Sequence, residues 1–387
     1  MEILVDHLTL IAVEEKSDIM KYDYIIVGAG LFGAIFAREM TDAGKNCLVI
    51  DKRDHTGGNV HSELIEGIHV SKYGGHIFHT NDERIWNYVN KFAKFDVYHH
   101  RLRVHYKENL YSFPINLMTC YQLWGCRTPK EVEDKLKEVK VQIDNPSNLE
   151  EWVLSEVGKE IYEIFIKGYT QKQWNLDPKN LPASIIKRIP IRKNYDDCYF
   201  SDKFQGWPSN GYSELFDNLL MGIKVELSTD FFKNRQYYES ISKKIVYTGK
   251  IDEFFDYRYG DLSYRSLRFD NKIVDQQDLL GCATVNFSEL EIPYTRIIEH
   301  KHFQPHNAYN TSKTVVTYEY PDDWDREKVP YYPINNDENN EIYRKYQEES
   351  LKLQNVIFGG RLAEYRYYDM HQVVGSALSK SARELKA

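Results

Sequence analysis

Apolar residues crowd into Ile25–Val27, run into glycines at 28, 30 and 33, then recur at helical spacing through Ala34, Ala37 and Met40. This pattern predicts a strand, a tight turn and a helix that Gly44 stops before a second strand, NCLVID. A strand–helix–strand start implies a parallel sheet. From Asp82 to about Leu176 the period turns helical. PKEVEDKLKEVKV puts Val132, Leu136 and Val139 on one stripe, and NLEEWVLSEVGKEIYEIFIKGY begins like a capped helix with a solvated charged face. Leu181–Asn210, rich in Pro, Arg and Lys, reads as a loop or flap. KVELSTDFF and KKIVYTG read as strands, and Leu262–Tyr320 is β-rich and aromatic. NVIFGGRL predicts a buried strand with a glycine turn, and MHQVVGSALSKSAREL a closing helix. No internal repeat or low-complexity linker separates these segments, so the domains are expected to interleave.

Composition narrows the class. The 387 residues are 42% hydrophobic and 28% charged, as in a soluble globular protein with room for two or three cores. A net charge of -8 argues against a nucleic-acid partner held by a general basic surface. Any anion must therefore meet a local basic pocket. Five scattered cysteines without a CxxC pair fit a reducing, cytoplasmic setting, with neither a disulfide framework nor a zinc site expected. No apolar run approaches the roughly 18–20 residues of a membrane span. Residues 1–21 lack the basic start and small-residue cleavage site of a signal peptide, and read as an extra arm.

Glycines at 28, 30 and 33, enclosing Leu31 and Phe32, let a backbone approach a pyrophosphate at a helix N-terminus. Asp51, 18 residues beyond Gly33, is placed to accept from ribose hydroxyls. KRDHTGGN follows at once, with Lys52, Gly58 and Asn59. A second glycine pair after the acidic residue, and a late GGR carrying Arg361, favour FAD over NAD.

Dispersed stretches then converge. GGHIFHT, SFPIN, GYTQKQW, LPASIIKRIPIR, NYDDCYF, FQGWP, PYTRIIEHKHF, PYYPI and GRLAEYRYYDM, in this order, resemble the UDP-galactopyranose mutases of the bacterial type from about Tyr22 onward. The resemblance implies a flavoenzyme that interconverts pyranose and furanose forms of a UDP-sugar without net redox. Reduced FAD, kept so by an external reductant, would attack the anomeric carbon through N5 while UDP leaves and returns.

It also implies roles. Arg188 and Arg296 would clamp the diphosphate and stabilise the leaving UDP, and His76 would lie at the flavin face. Asn59, Arg361 and Met370 would contact the flavin. Phe165, Tyr169, Trp174, Tyr199, Asn286, Tyr332, Tyr367 and Asp369 would contact the substrate, with Phe165 stacking on uracil. No metal is expected, and a homodimer is.

The implied architecture is α/β. A discontinuous Rossmann-like FAD-binding domain (22–86, 207–262 and 343–387) carries an inserted helical domain (87–177). An antiparallel β-sheet domain (178–206 and 263–342) bears a mobile flap at about 178–193. Gly75, where the family commonly has proline, suggests a roomier wall by the flavin; with Tyr368, Ala363, Glu364 and His371 it leaves UDP-N-acetylgalactosamine or a deoxysugar nucleotide open. An amine-oxidase-like flavin oxidoreductase and a non-catalytic nucleotide-sugar binder are the competing classes. Only the mutase uses the glycine fingerprint, the arginines and Trp174 together.

Overall fold

A computed structural model describes residues 21–183, 191–304 and 311–386. The first 20 residues of the arm, and residues 184–190 of the expected flap with Arg188, lie outside these.

Five strands pair in parallel, in the order Lys224–Glu226, Cys47–Ile50, Tyr22–Val27, Ser242–Tyr247, Val356–Phe358. Both faces are covered. Ile26 belongs to one apolar core and Ile25 to another, each with 0% exposure, so Ile25–Val27 reads as a continuous apolar run. The helices Leu31–Asp42 and Met370–Glu384 pack together over the Ile26 face. Cys47–Ile50 and Ser242–Tyr247 flank the first strand on opposite sides, which opens a crevice at its carboxyl end.

A second sheet has seven strands, in the order Tyr332–Pro333, Tyr264–Val274, Thr314–Asp323, Arg296–Glu299, Thr284–Phe287, Leu102–Tyr106, Asn109–Phe113. All neighbours are antiparallel except Thr284–Phe287 with Leu102–Tyr106. The stretch expected to be helical from Asp82 therefore contains strands, at Phe95–Val97, Leu102–Tyr106 and Asn109–Phe113. Leu102 and Val104 point inward while Arg103 and His105 are partly exposed, a period of two that the charged composition obscures.

Elsewhere in that stretch helices form as expected. Pro129–Val139 buries Val132 and Leu136 behind a Thr128/Glu131 capping box. Asn148 caps Leu149–Ile161 by accepting from Glu151 N–H at 3.0 Å. Gly158, at φ +79°, breaks this helix where a Cβ would lie 2.4 Å from Val139 O. The chain continues through the π-helical turn Tyr162–Lys167 into the short helix Gly168–Trp174. That helix sits on the second sheet. A Cβ at Gly168 would lie 2.0 Å from Ser288 O, and Lys172 Nζ donates to the carbonyls of Phe287, Tyr294 and Ile292 at 2.8, 2.9 and 3.0 Å. Among the described residues no helix is long and apolar enough to cross a membrane.

Candidate active site

The first strand ends in a turn only glycine can make. Gly28 has φ +110°, and a Cβ on Gly33 would lie 2.0 Å from Gly28 O. The first-turn N–H groups of Leu31, Phe32 and Gly33 have no acceptor within the helix. The side chains of Leu31 and Phe32 lie in the core, so their backbone alone can meet a ligand. The Phe32 ring fills the space over Gly359, whose Cβ would lie 2.0 Å from Phe32 Cζ. The second glycine pair comes up against the first: a Cβ on Gly58 would lie 3.2 Å from Gly30 Cα.

Asp51 is buried, and its Oδ2 accepts from Ala29 N–H at 2.7 Å and its Oδ1 from Arg53 N–H at 2.9 Å. The carboxylate thus ties the turn to the second strand with one lone pair on each oxygen. Sequence reading passed over Arg53. Its Nη2 donates to Asn59 Oδ1 at 2.8 Å, its guanidinium lies 4.7 Å from the Tyr73 ring centre, and its buried Nη1 has no partner. An unpaired buried guanidinium N–H beside two crossed glycine turns suits a phosphate oxygen. Its place directly after Asp51 and Lys52 in KRDHTGGN was the available signal. Lys52 itself is exposed.

His76 leads from this cradle to the second sheet. Its Nε2 lies 3.2 Å from Tyr73 O, and its carbonyl accepts from Tyr212 OH at 2.8 Å. Burial, with the nearby positive charge of Arg361 and more weakly of Arg296, lowers its pKa to about 4. The ring is neutral at physiological pH. Arg361 donates to Tyr331 O at 3.2 Å and to Tyr368 O, and lies 5.5 Å from the Tyr367 ring centre. Asp369 caps the closing helix, its N–H donating to Gln372 Oε1 at 2.9 Å, and Met370 packs partly buried against the core.

The register of the second sheet aligns Val104, Asn286, Arg296, Glu319 and Phe269 in one row. Directly opposed residues share a face, so these side chains are neighbours. Arg296 Nε lies 3.1 Å from the buried Glu319 Oε1, and Arg296 Nη2 donates to Tyr169 OH. Burial opposes the Arg296 charge, but Glu319 and the surrounding tyrosines hold its pKa above the ordinary arginine value. Glu319 gave no sequence signal. Asn286 is 8% exposed, and its Oδ1 is buried with no partner. The row reaches back to the loop of Gly74 and His76: a Cβ on Gly74 would lie 3.2 Å from Phe269 Cε1 and 3.5 Å from Glu319 Oε2.

Tyrosines frame the row. Burial raises the Tyr169 pKa to about 12 against the pull of Arg296, and Tyr332 is pushed well above its ordinary value by burial and by Tyr367. Tyr332 and Tyr367 stack with ring centres 5.5 Å apart. Tyr199 meets Phe200 and His100 edge-on at 5.0 and 5.7 Å, and it adds to the field on Arg296 and Tyr169. Trp174, half-buried on the same short helix as Tyr169, packs against the helical core.

Two expectations need correction. Phe165 is 4% exposed, stacked on Phe113 at 5.9 Å and meeting Tyr111 edge-on at 5.5 Å, so its ring packs the helical core and offers no open face to uracil. The space at Gly75 is filled rather than roomy. A Cβ there would lie 2.9 Å from Phe303 Cζ, and Phe303 is itself stacked on Trp207 at 4.6 Å. Arg192 donates to Asp196 O at 3.2 Å and to Cys198 O, and so pins the loop that carries Tyr199.

Comparison with known proteins agrees with this geometry. A UDP-galactopyranose mutase family profile matches residues 164–367, and an NAD(P)-binding Rossmann-like profile matches residues 26–92. The chain is 40% identical to a probable UDP-galactopyranose mutase of Klebsiella pneumoniae, covering 93% of this chain and 94% of that protein. It is 39% identical to a dTDP-fucopyranose mutase of Escherichia coli, covering 92% and 96%. Reduced UDP-galactopyranose mutase has a solved structure with the same fold, at TM-score 0.74, 16% identity and 94% coverage of each chain. A putrescine oxidase with bound putrescine is less similar, at TM-score 0.57 and 10% identity, covering 95% of this chain and 99% of that one. From its glycine cradle to its arginine row, this chain belongs to the UDP-galactopyranose mutase family.

Proposed function

We propose that the protein interconverts the pyranose and furanose rings of a nucleotide-linked sugar, UDP-galactose first, with FAD as a reduced cofactor. The observation that carries this reading is the row of Arg296 and Asn286, a held cation next to an unpartnered buried amide oxygen, facing the loop of Gly74 and His76. An ordinary oxidase has no use for a cation there.

The residues present fit FAD. Gly28, Gly33 and Gly58 pack against Thr248, Gly28 O and Gly30 where a Cβ would clash, so the backbone can turn tightly beside the helix N-terminus, Arg53 Nη1 lacks an acceptor, and Asp51 keeps lone pairs for ribose. Asn59, Arg361 and Met370 would border the rest of the cofactor. When bound, reduced FAD supplies a nucleophile for the anomeric carbon with no net redox. His76, held neutral, meets the ring system without adding a positive charge that would blunt it.

Arg296, ion-paired with Glu319, donates one N–H to Tyr169 and has further N–H groups to offer the diphosphate. Because charge grows on the departing nucleotide, this contact strengthens toward the transition state. Arg188 is proposed as the second clamp. Tyr332, whose proton burial holds in place, and Tyr367 donate to phosphate oxygens, Asn286 accepts from the nucleotide base, and Asp369 accepts from sugar hydroxyls. Tyr169, Trp174 and Tyr199 wall the site.

A deoxysugar substrate is the second reading, favoured by 39% identity to a dTDP-fucopyranose mutase. The deciding experiment incubates the dithionite-reduced and the oxidised protein with UDP-galactofuranose and with dTDP-fucofuranose. Pyranose product from the reduced protein alone, faster with UDP-galactofuranose, is expected. Preference for dTDP-fucofuranose would assign the deoxysugar. No ring conversion, with flavin cycling on another substrate, would replace the mutase by an oxidoreductase.

A further inference from the structure

Two clusters of metal-ligating side chains stand in the described residues, and one already holds its cation. Asp278, Glu299 and His302 surround Lys301, whose Nζ lies 3.4 Å from Asp278 and 3.7 Å from Glu299. Glu299 also accepts from the N–H groups of Leu279 and Leu280 and from Thr314 Oγ1. That cluster is satisfied by protein groups.

The other is not. His79, Asp369 and His371 each bring one donor atom within 4.8 Å of the other two, and no lysine or arginine pairs with any of them among the described residues. His79 sits on the strand Phe78–Thr80 with its ring stacked on Phe200 at 3.8 Å. Its Nδ1 donates to Asp202 Oδ2 at 2.8 Å, which leaves the lone pair on Nε2. Asp202 is in turn held by Asn81 Nδ2 at 2.7 Å. His371 meets His79 edge-on at 5.1 Å, and its buried Nδ1 has no hydrogen-bond partner.

We propose that His79, Asp369 and His371 form a binding site for one divalent cation of the zinc class. Two imidazoles and one carboxylate are a donor set that suits zinc, with water completing the coordination, whereas magnesium prefers an all-oxygen shell. Asp202 behind His79 is the carboxylate partner that orients metal-ligating histidines and raises their basicity. The strand and the first turn of the closing helix hold the ligands from two sides, so the ion would staple that helix to the small sheet of Phe78–Thr80, Phe204–Pro208 and Phe95–Val97. This departs from the expectation of a metal-free protein. It stands on these side chains and not on the mutase reading, although Asp369 would serve both.

The test is equilibrium dialysis of the purified full-length protein, stripped with a chelator, against Zn2+ and in parallel against Mg2+, with bound metal counted by mass spectrometry. One zinc per chain, no magnesium and a higher Tm with zinc are expected. His371→Ala should lose the zinc, and Asp202→Asn should bind it 10–100-fold more weakly. His371→Gln replaces His371→Ala if the latter melts early without metal. Zinc held equally by the His371 variant would place the metal on the thiols and overturn the proposal, as would no stoichiometric zinc on the parent protein.

Discussion

Single residues of the site are tied to their neighbours in ways that fix what substitution does. Arg296 is gripped by Glu319 and Tyr169, and its fork is already oriented before any ligand arrives. Arg296→Ala should lower kcat by roughly 100- to 1000-fold, and Arg296→Lys, which keeps charge but loses the fork, should recover only part of it. Steady-state kinetics with saturating nucleotide sugar reads both. Asn286→Ala removes one acceptor and should act on KM rather than kcat, by about 1–2 kcal/mol of binding. A kcat loss as large as that of Arg296→Ala would place Asn286 in the chemistry instead. Arg296 and Asn286 were legible only through family motifs. Glu319 was not legible, because a carboxylate that exists to hold an arginine looks in sequence like any acidic strand residue. Phe165 misled for the converse reason: an aromatic in a helix is core or ligand depending on what stands over it, here Phe113 and Tyr111.

At the level of elements, the glycine-turn segments were read most faithfully, since close backbone approach leaves one residue type to choose from. Gly33→Ala forces a Cβ to within 2.0 Å of Gly28 O. The variant should emerge with little or no bound flavin, which the absorbance ratio of visible to ultraviolet bands will show; full flavin content would mean the turn relaxes cheaply. Gly168→Ala drives the short helix off Ser288 O and should disturb Tyr169 and Trp174 together, raising KM while leaving flavin content unchanged. The strands Leu102–Tyr106 and Asn109–Phe113 escaped sequence reading. Leu102–Tyr106 alternates only briefly and Asn109–Phe113 runs from exposed to buried without alternating, and their outward positions carry arginine, histidine and tyrosine, which helices carry equally well.

The whole molecule carries its charge unevenly in depth. His100 and His300 are fully enclosed, and burial lowers both to about 3; for His300 the Glu299 carboxylate offsets part of this. Ser71 N–H donates to His300 Nδ1 at 3.3 Å, and His300 Nε2 lies 2.6 Å from Thr317 Oγ1, an arrangement built for the neutral ring. With His76 at about 4, three histidines stay neutral in the fold while they would protonate near 6.5 in the unfolded chain. Below about pH 6.5 the unfolded state therefore binds more protons, and stability falls with pH toward 4, by at most about 1.4 kcal/mol per pH unit for each group. Urea unfolding at pH 7.5 and pH 5 should show a clearly lower midpoint at the acid value. An unchanged midpoint would mean these rings are wetter than the structure places them.

The row from Val104 to Phe269 also has a history in time. Val104 waits for Asn286, and Asn286 for Arg296 and then Glu319, so the floor of the cleft closes only after more than half the chain has followed its first strand off the ribosome. Until then Leu102–Tyr106 and Asn109–Phe113 form a hairpin whose outer edge has no mate. Long-range pairing of this kind folds slowly, and the waiting edge is the place where a chaperone would earliest be needed.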